Sequence, residues 1–150
     1  MEKIFFILNV SNQEKLNKII LKINSFFKAR KITFFVFQSE YKGHAIKLTK
    51  KAIDEKATSV VACGGDGTVN EIGSLLIGTN IKLGIIPLGS GNGIARHFNI
   101  PFKLNNCLNI IALNKHELID VGKVNSRYFI GNMGVGFESE FIKQYDIFNK

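Results

Sequence analysis

Apolar positions along the chain alternate between two rhythms. Ile4 to Leu8 is an unbroken apolar run, which reads as a buried strand. Leu16, Ile19, Ile20, Ile23 and Phe27 then recur at helical spacing and predict a first helix over Gln13–Lys28. Ile32 to Phe37, β-branched and aromatic, predicts a second strand. Ala45, Leu48, Ala52 and Ile53 mark a second helix. Val60 to Cys63 reads as a third strand, and Val69, Ile72, Leu75 and Leu76 as the helix after it. Ile81 to Ile86 is a fourth strand closed by Pro87, followed by a helical stretch through Phe98. Pro101 is expected to open one more helix, with Leu104, Leu108 and Ile111 on one face.

Strand and helix alternating in this way imply right-handed βαβ units. The fold class predicted is therefore α/β, a parallel sheet between two helical layers. After Lys115 the texture changes. Glu117–Val124 and Tyr128–Met133 read as two strands joined at Asn125-Ser126, a hairpin. Gly134 and Gly136 follow, and Phe137, Phe141, Tyr145 and Phe148 then fall at helical spacing with nothing after them to pack against. Residues 1–115 are expected to form the α/β domain. Residues 116–150 are expected to be the start of a β-rich second domain, cut short at Lys150.

Two glycine clusters interrupt the pattern, each at the C-terminal end of a predicted strand. In the first, Gly64, Gly65 and Gly67 bracket Asp66, with Thr68, Val69, Asn70 and Glu71 following at the head of a helix. Glycines let a backbone approach a ligand closely, and free N–H groups at a helix N-terminus favour an anion. Phosphate is the expected guest, and Asp66 sits where a metal ion or a proton acceptor would be useful. Plainer roles exist: Thr68 and Glu71 have the spacing of a capping box, and Asp66 suits a tight turn. The second cluster is Gly89-Ser90-Gly91-Asn92-Gly93. In a parallel sheet ligands bind beyond the carboxyl ends of the strands, so both clusters can line one crevice.

Composition narrows the classes. With 45% hydrophobic and 21% charged residues, the 150-residue chain suits one folded domain rather than a disordered segment. No apolar run approaches the roughly 18 residues needed to span a bilayer. The apolar N-terminus is too short for a signal peptide and lacks a cleavage site, so a cytoplasmic location is expected. Cys63 and Cys107 give no disulfide framework, and Cys63 reads as an inert core thiol. The net charge of +8 comes mainly from lysines such as Lys15, Lys18, Lys22, Lys47, Lys50 and Lys51. These read as solvated helix faces, or as an attraction to polyphosphates or an anionic membrane surface. No nucleic-acid fingerprint is present, and neither the P-loop nor the protein-kinase signature set occurs.

The run Gly64-Gly65-Asp66-Gly67-Thr68-Val69-Asn70-Glu71-Ile72, the stretch Ile85 to Arg96, and Ile119-Asp120-Val121-Gly122 together resemble the diacylglycerol kinase catalytic-domain family. That family includes bacterial diacylglycerol kinase-like lipid kinases, sphingosine kinases and ceramide kinases. The resemblance runs from Asn9 to about Phe141. It implies a nucleotide-binding first domain and a β-rich lipid-binding second domain, with ATP and Mg²⁺ as cofactors. Gly64 to Thr68 would hold ATP phosphates, with Asp66 acting on Mg²⁺ or as a base for the lipid hydroxyl. Glu71 matches an acidic position that contacts the nucleotide or orders the site. Gly89, Ser90, Gly91 and Asn92 match the second loop, which frames the nucleotide cleft. Asn9 keeps the asparagine of the family's Asn-Pro-x-x-Gly loop, although Val10 and Gln13 replace its proline and glycine. Ser39 aligns with a hydroxyl residue that touches nucleotide. Gly134 to Glu140 resembles a motif near the acceptor lipid, with Glu140 as an acceptor-site candidate. His44 is expected to cap or brace a helix, and His97 and His116 to lie on the surface.

Phosphoryl transfer needs positioning and charge stabilisation more than elaborate acid–base groups, which suits many glycines beside few catalytic candidates. The function expected is the N-terminal catalytic part of an ATP-dependent lipid kinase. It would move the γ-phosphate to a hydroxyl of diacylglycerol or a sphingoid-type lipid, with the isolated chain inactive. The partner expected is lipid at a membrane surface, met peripherally, with no nucleic acid and with a homodimer among the assemblies open to it. The alternatives are an NAD kinase-like enzyme and a non-catalytic nucleotide-binding module.

Overall fold

The computed structural model of the chain describes residues 2–131. Strands β1 (Lys3–Leu8), β2 (Thr33–Gln38), β3 (Ser59–Gly64) and β4 (Lys82–Pro87) form one parallel sheet in the order β2-β1-β3-β4. Helices α1 (Gln13–Ala29), α2 (His44–Asp54), α3 (Asp66–Leu76), α4 (Gly93–His97) and α5 (Leu104–Ala112) connect and cover it. The α/β fold expected from the alternating pattern is the fold observed.

The continuous apolar run of β1 follows from its place in the sheet. Successive side chains point to opposite faces, and both faces are covered. Ile4, Phe6 and Leu8 enter a core with Leu16, Ile19, Ile23 and Phe27 of α1 and Leu108 of α5. Phe5 and Ile7 enter the other core, with Ala45 and Ala52 of α2, Val69, Ile72 and Leu76 of α3, and Ile94 of α4. The sheet is thus the middle of three layers. Burying side chains such as Phe6 or Ile23 is worth about 1.5–3 kcal/mol each, so the two cores fix which helix lies on which face.

Local chemistry sets the element ends. Asn12 caps α1, its side-chain oxygen accepting from the Lys15 N–H at 2.8 Å. The sequence pattern misplaces the start of α5. The carbonyl of Lys103 receives the N–H groups of Asn106 and Cys107, so the helix begins at Leu104, with Pro101 outside it. Pro101 instead offers its carbonyl to the Cys107 thiol at 2.9 Å.

Beyond α5 the chain forms a short antiparallel hairpin, β5 (Gly122–Val124) and β6 (Arg127–Phe129). Val124 pairs with Arg127, leaving Asn125-Ser126 as the turn, and Asn125 takes the positive φ (53°) such a turn favours. The hairpin lies where the sequence placed it, but its strands are shorter. Glu117 to Val121 is not strand, and Leu118 in that stretch is 99% exposed, with no face to bury it. Gly134, Gly136, Phe137, Glu140, Phe141, Tyr145 and Phe148 lie outside the described residues.

Candidate phosphate-binding crevice

Because all four strands run parallel, the segments that follow them meet at one edge of the sheet. Asn9 follows β1, Ser39 follows β2, Gly65 follows β3 and Leu88 follows β4. The strand ladder continues into these segments. Ser39 donates its N–H to Leu8 O at 2.7 Å, Asn9 to Cys63 O at 2.9 Å, and Leu88 to Gly64 O at 2.9 Å. The first and second glycine clusters are therefore neighbours.

They touch backbone to backbone. A Cβ added to Gly89 would lie 2.6 Å from Gly65 Cα and 3.2 Å from Gly65 N, so Gly89 leaves no room for a side chain, whereas a Cβ on Gly65 would meet Gly89 Cα at 3.4 Å, an ordinary contact. Gly64 is small for a separate reason: a Cβ there would lie 2.6 Å from Thr68 Oγ1. Gly67 differs from all three. It sits exposed in the first turn of α3, and a Cβ there would meet nothing within 4 Å. Glycine in a helix costs up to about 1 kcal/mol relative to alanine. Neither packing nor a positive φ asks for it here.

Helix α3 begins at Asp66, with Gly65 as its N-cap and no capping side chain. Its first backbone bond runs from Val69 N to Gly65 O at 3.1 Å, so the N–H groups of Asp66, Gly67 and Thr68 precede the helical ladder. The capping-box reading of Thr68 and Glu71 is thereby corrected. Thr68 is the third residue of the helix, and its hydroxyl oxygen accepts from Asn9 Nδ2 at 2.9 Å. Asn9 thus braces the glycine turn from the adjacent strand. Glu71 lies half-buried further along α3.

Asp66 reaches across to the second loop. Its Oδ2 accepts from the Gly93 N–H and its Oδ1 from the Ile94 N–H, both at 2.9 Å. Its carboxylate therefore serves the donors at the head of α4, exposed Gly93 and buried Ile94. Each oxygen keeps further acceptor capacity, so the carboxylate is still able to face a cation. Asn92 closes the second loop on itself. Buried, and in left-handed backbone (φ 52°), it accepts from Gly89 N–H at 2.9 Å and donates to Gly89 O at 2.6 Å. That uses both ends of its amide within the loop. Ser90 and Gly91 form the exposed tip, and Gly91 O accepts from Arg96 Nε at 3.1 Å.

Among the described residues no three His, Cys, Asp or Glu side chains cluster as a metal cage. Magnesium seldom needs one. It is commonly held by one or two carboxylates together with substrate phosphates and water, and a lone Asp66 beside a phosphate cradle fits that donor set.

The remaining candidates sort plainly. His44 braces the start of α2: its Nδ1 accepts from Glu40 N–H at 3.2 Å and its ring stacks on Tyr41. His97 and His116 are exposed, as expected. Cys63 is fully buried, and desolvation pushes its thiol far above the usual range; burial raises Cys107 to about 11. Neither is a nucleophile at neutral pH. Asn70 lies within the first glycine run but has no role assigned from sequence; its side-chain oxygen accepts from Ile130 N–H at 2.9 Å. Nor does the sequence single out a groove of about 800 Å³ beside Leu88, between α1 and α5, lined by Lys15, Lys18, Lys22 and Lys103.

A parallel three-layer α/β domain with two glycine loops in contact, one of them opening a helix, belongs by its architecture to the class of α/β domains that hold ligands in a crevice beyond the carboxyl ends of their strands. The profile of the diacylglycerol kinase catalytic domain matches residues 3–124, and the chain belongs to that family of kinases. A protein of Pectobacterium atrosepticum named "Probable lipid kinase YegS-like" is 38% identical over 98 residues, covering 63% of this chain and 33% of the relative. One of the same name from Klebsiella pneumoniae is 35% identical over 97 residues, with the same coverage of each chain. Among solved structures, a protein of Bacillus anthracis strain Sterne assigned as a diacylglycerol kinase superposes with a TM-score of 0.73 at 26% identity. That match covers 85% of this chain and 48% of the other. A diacylglycerol kinase structure from the same organism gives 0.72 at 19% identity, a likeness of fold, over 95% and 52%. The chain spans about a third of the length of these curated relatives and about half of these structures. The match over 3–124 contains both glycine clusters and Ile119 to Gly122, and ends before Gly134 to Glu140.

Proposed function

We propose that this chain supplies the nucleotide-holding half of an ATP-dependent lipid kinase. It would place the γ-phosphate of ATP for transfer to a hydroxyl of diacylglycerol or a sphingoid-type lipid. The observation that carries this reading is Gly67. The fold accounts for Gly64 by Thr68 and for Gly89 by the Gly65 backbone, but leaves open space where a Gly67 side chain would stand. A glycine that weakens a helix without a packing return, at the point where helix N–H groups emerge, is what a closely approaching phosphate requires.

In this reading the first turn of α3 receives the phosphates through the N–H groups of residues 66–68. Asp66 meets Mg²⁺ through its remaining lone pairs, or accepts the proton of the lipid hydroxyl. Mg²⁺, when bound, neutralises charge on the phosphates. Asn9, through Thr68, and Asn92, through Gly89, hold the two loops in register. Ser39 and Glu71 flank the nucleotide, and Ser90 and Gly91 face it from the loop tip. Glu140 would belong to the acceptor side. The protein would act in the cytoplasm at a membrane face. Among the described residues no helix is long and apolar enough to cross a membrane, and the lysine-lined groove beside Leu88 offers cationic surface next to the crevice. A homodimer is compatible with this arrangement.

The test is transfer of labelled phosphate from ATP to a panel of diacylglycerol, sphingoid bases, ceramide and NAD, with and without Mg²⁺. The full-length gene product and the 150-residue chain are assayed side by side. Mg²⁺-dependent labelling of a lipid by the full-length product supports the reading. Labelling of NAD alone, or nucleotide binding with no transfer to any lipid, overturns it.

A further inference from the structure

Asn70 stands four residues after Asp66 on α3, about 6 Å further along the helix axis. Its Oδ1 receives the backbone N–H of Ile130 at 2.9 Å, a bond between residues 60 apart in sequence. Shape reinforces the bond. A Cβ on Gly73 would run into Ile130 Cδ1, so α3 carries a notch, and Ile130 fills it with 7% exposure. The next residue, Gly131, turns with φ +95°, and a Cβ there would lie 2.9 Å from Ile94 Cγ1. Ile94 is the residue whose N–H Asp66 holds. Helices α3 and α4 are therefore gripped twice, by the Asp66 carboxylate at the crevice and by Ile130-Gly131 beyond it.

We propose that Asn70 is a positioning residue. It registers residues 127–131 on the helix that carries Asp66, while its own oxygen is committed to Ile130. The stretch up to Gly131 then keeps a fixed place relative to the glycine turn. The consequence for phosphoryl transfer rests on the lipid-kinase reading; the clamp itself does not.

Two variants separate the bond from the packing. Asn70→Leu keeps the bulk and removes the acceptor, whereas Asn70→Asp keeps an acceptor oxygen. In this chain, amide exchange followed by NMR is expected to show Ile130 exchanging about tenfold faster or more in Asn70→Leu, and within about threefold of wild type in Asn70→Asp. In the full-length gene product, Asn70→Leu is expected to lower kcat about tenfold or more while the KM for ATP moves less than about threefold. Asn70→Asp is expected to recover most of that loss. Unchanged Ile130 exchange in Asn70→Leu would overturn the clamp. A loss confined to the KM for ATP, or one that Asn70→Asp does not recover, would overturn the positioning role. If the wild-type product transfers nothing to lipid, the functional reading fails, and Ile130 exchange still decides the clamp.

Discussion

Gly65 and Gly89 meet so closely that a Cβ on the second would stand 2.6 Å from the α-carbon of the first. The contact joins the ends of β3 and β4, and through them the two loops of the crevice. Gly89→Ala therefore has to push backbone, not a movable side chain. We expect it to lower the unfolding free energy by about 1–3 kcal/mol, the usual cost of overpacking, as read from urea denaturation midpoints at constant m-value.

Gly67→Ala separates fold from function. Nothing stands within 4 Å of the added methyl, and alanine is the better helix former. The variant is expected to be as stable as wild type or more so, by up to about 1 kcal/mol, while Mg·ATP binding falls at least about tenfold. Thermal melting and calorimetric titration measure the two halves. Unimpaired nucleotide binding would remove Gly67 from the cradle.

Asp66→Asn tests a residue with two duties. Only one atom of the new amide accepts, so either Gly93 or Ile94 N–H loses its acceptor. Bonds to a charged group are worth about 1.5–3 kcal/mol, and a loss within that range is expected in denaturation. Mg²⁺-dependent transfer by the full-length product is expected to fall well beyond what this loosening explains. A variant that lost stability but kept transfer would make Asp66 a brace and no more.

The two cysteines predict a pH window. Burial favours the neutral thiol, raising Cys107 to about 11 and Cys63 further still, against 9.0 for an unperturbed thiol. The folded state then holds protons that the unfolded chain gives up. The stabilisation is fully present below pH 9 and is lost as pH rises from 9 through 11 and beyond. Denaturation series between pH 8 and 11 are expected to show stability falling across that interval, and Cys63→Ala with Cys107→Ala to flatten the fall. At pH 8 neither thiol is expected to react readily with a thiol reagent until the chain is unfolded.

What the sequence disclosed followed from repetition. Leu16, Ile19, Ile23 and Phe27 mark α1 because a helix must turn one stripe to the core, and β1 reads as buried because both its faces are covered. Composition carries the glycine clusters equally well, since few other residues permit such a backbone approach. Signals failed where the partner was backbone or distant. Thr68 and Glu71 have the spacing of a cap, yet the helix starts two residues before Thr68 and Asn9 takes the hydroxyl. Pro101 suited a helix start, but Lys103 supplies the first carbonyl. Asp66 reads as a metal or proton-acceptor residue, or as a turn residue, and its bonds to the N–H groups of Gly93 and Ile94 bear no mark in a sequence. Asn70 and Ile130, 60 positions apart, share no local pattern at all.

The bond from Leu88 N–H to Gly64 O adds one more rung to the ladder that binds β3 to β4. The crevice floor is thus an extension of the β3–β4 ladder, with β3 inside the sheet and β4 at its end among the described residues. Parting the two loops would break that rung and the Gly65–Gly89 backbone contact with it. A ligand is then met by the exposed Ser90-Gly91 tip above a floor tied to the sheet.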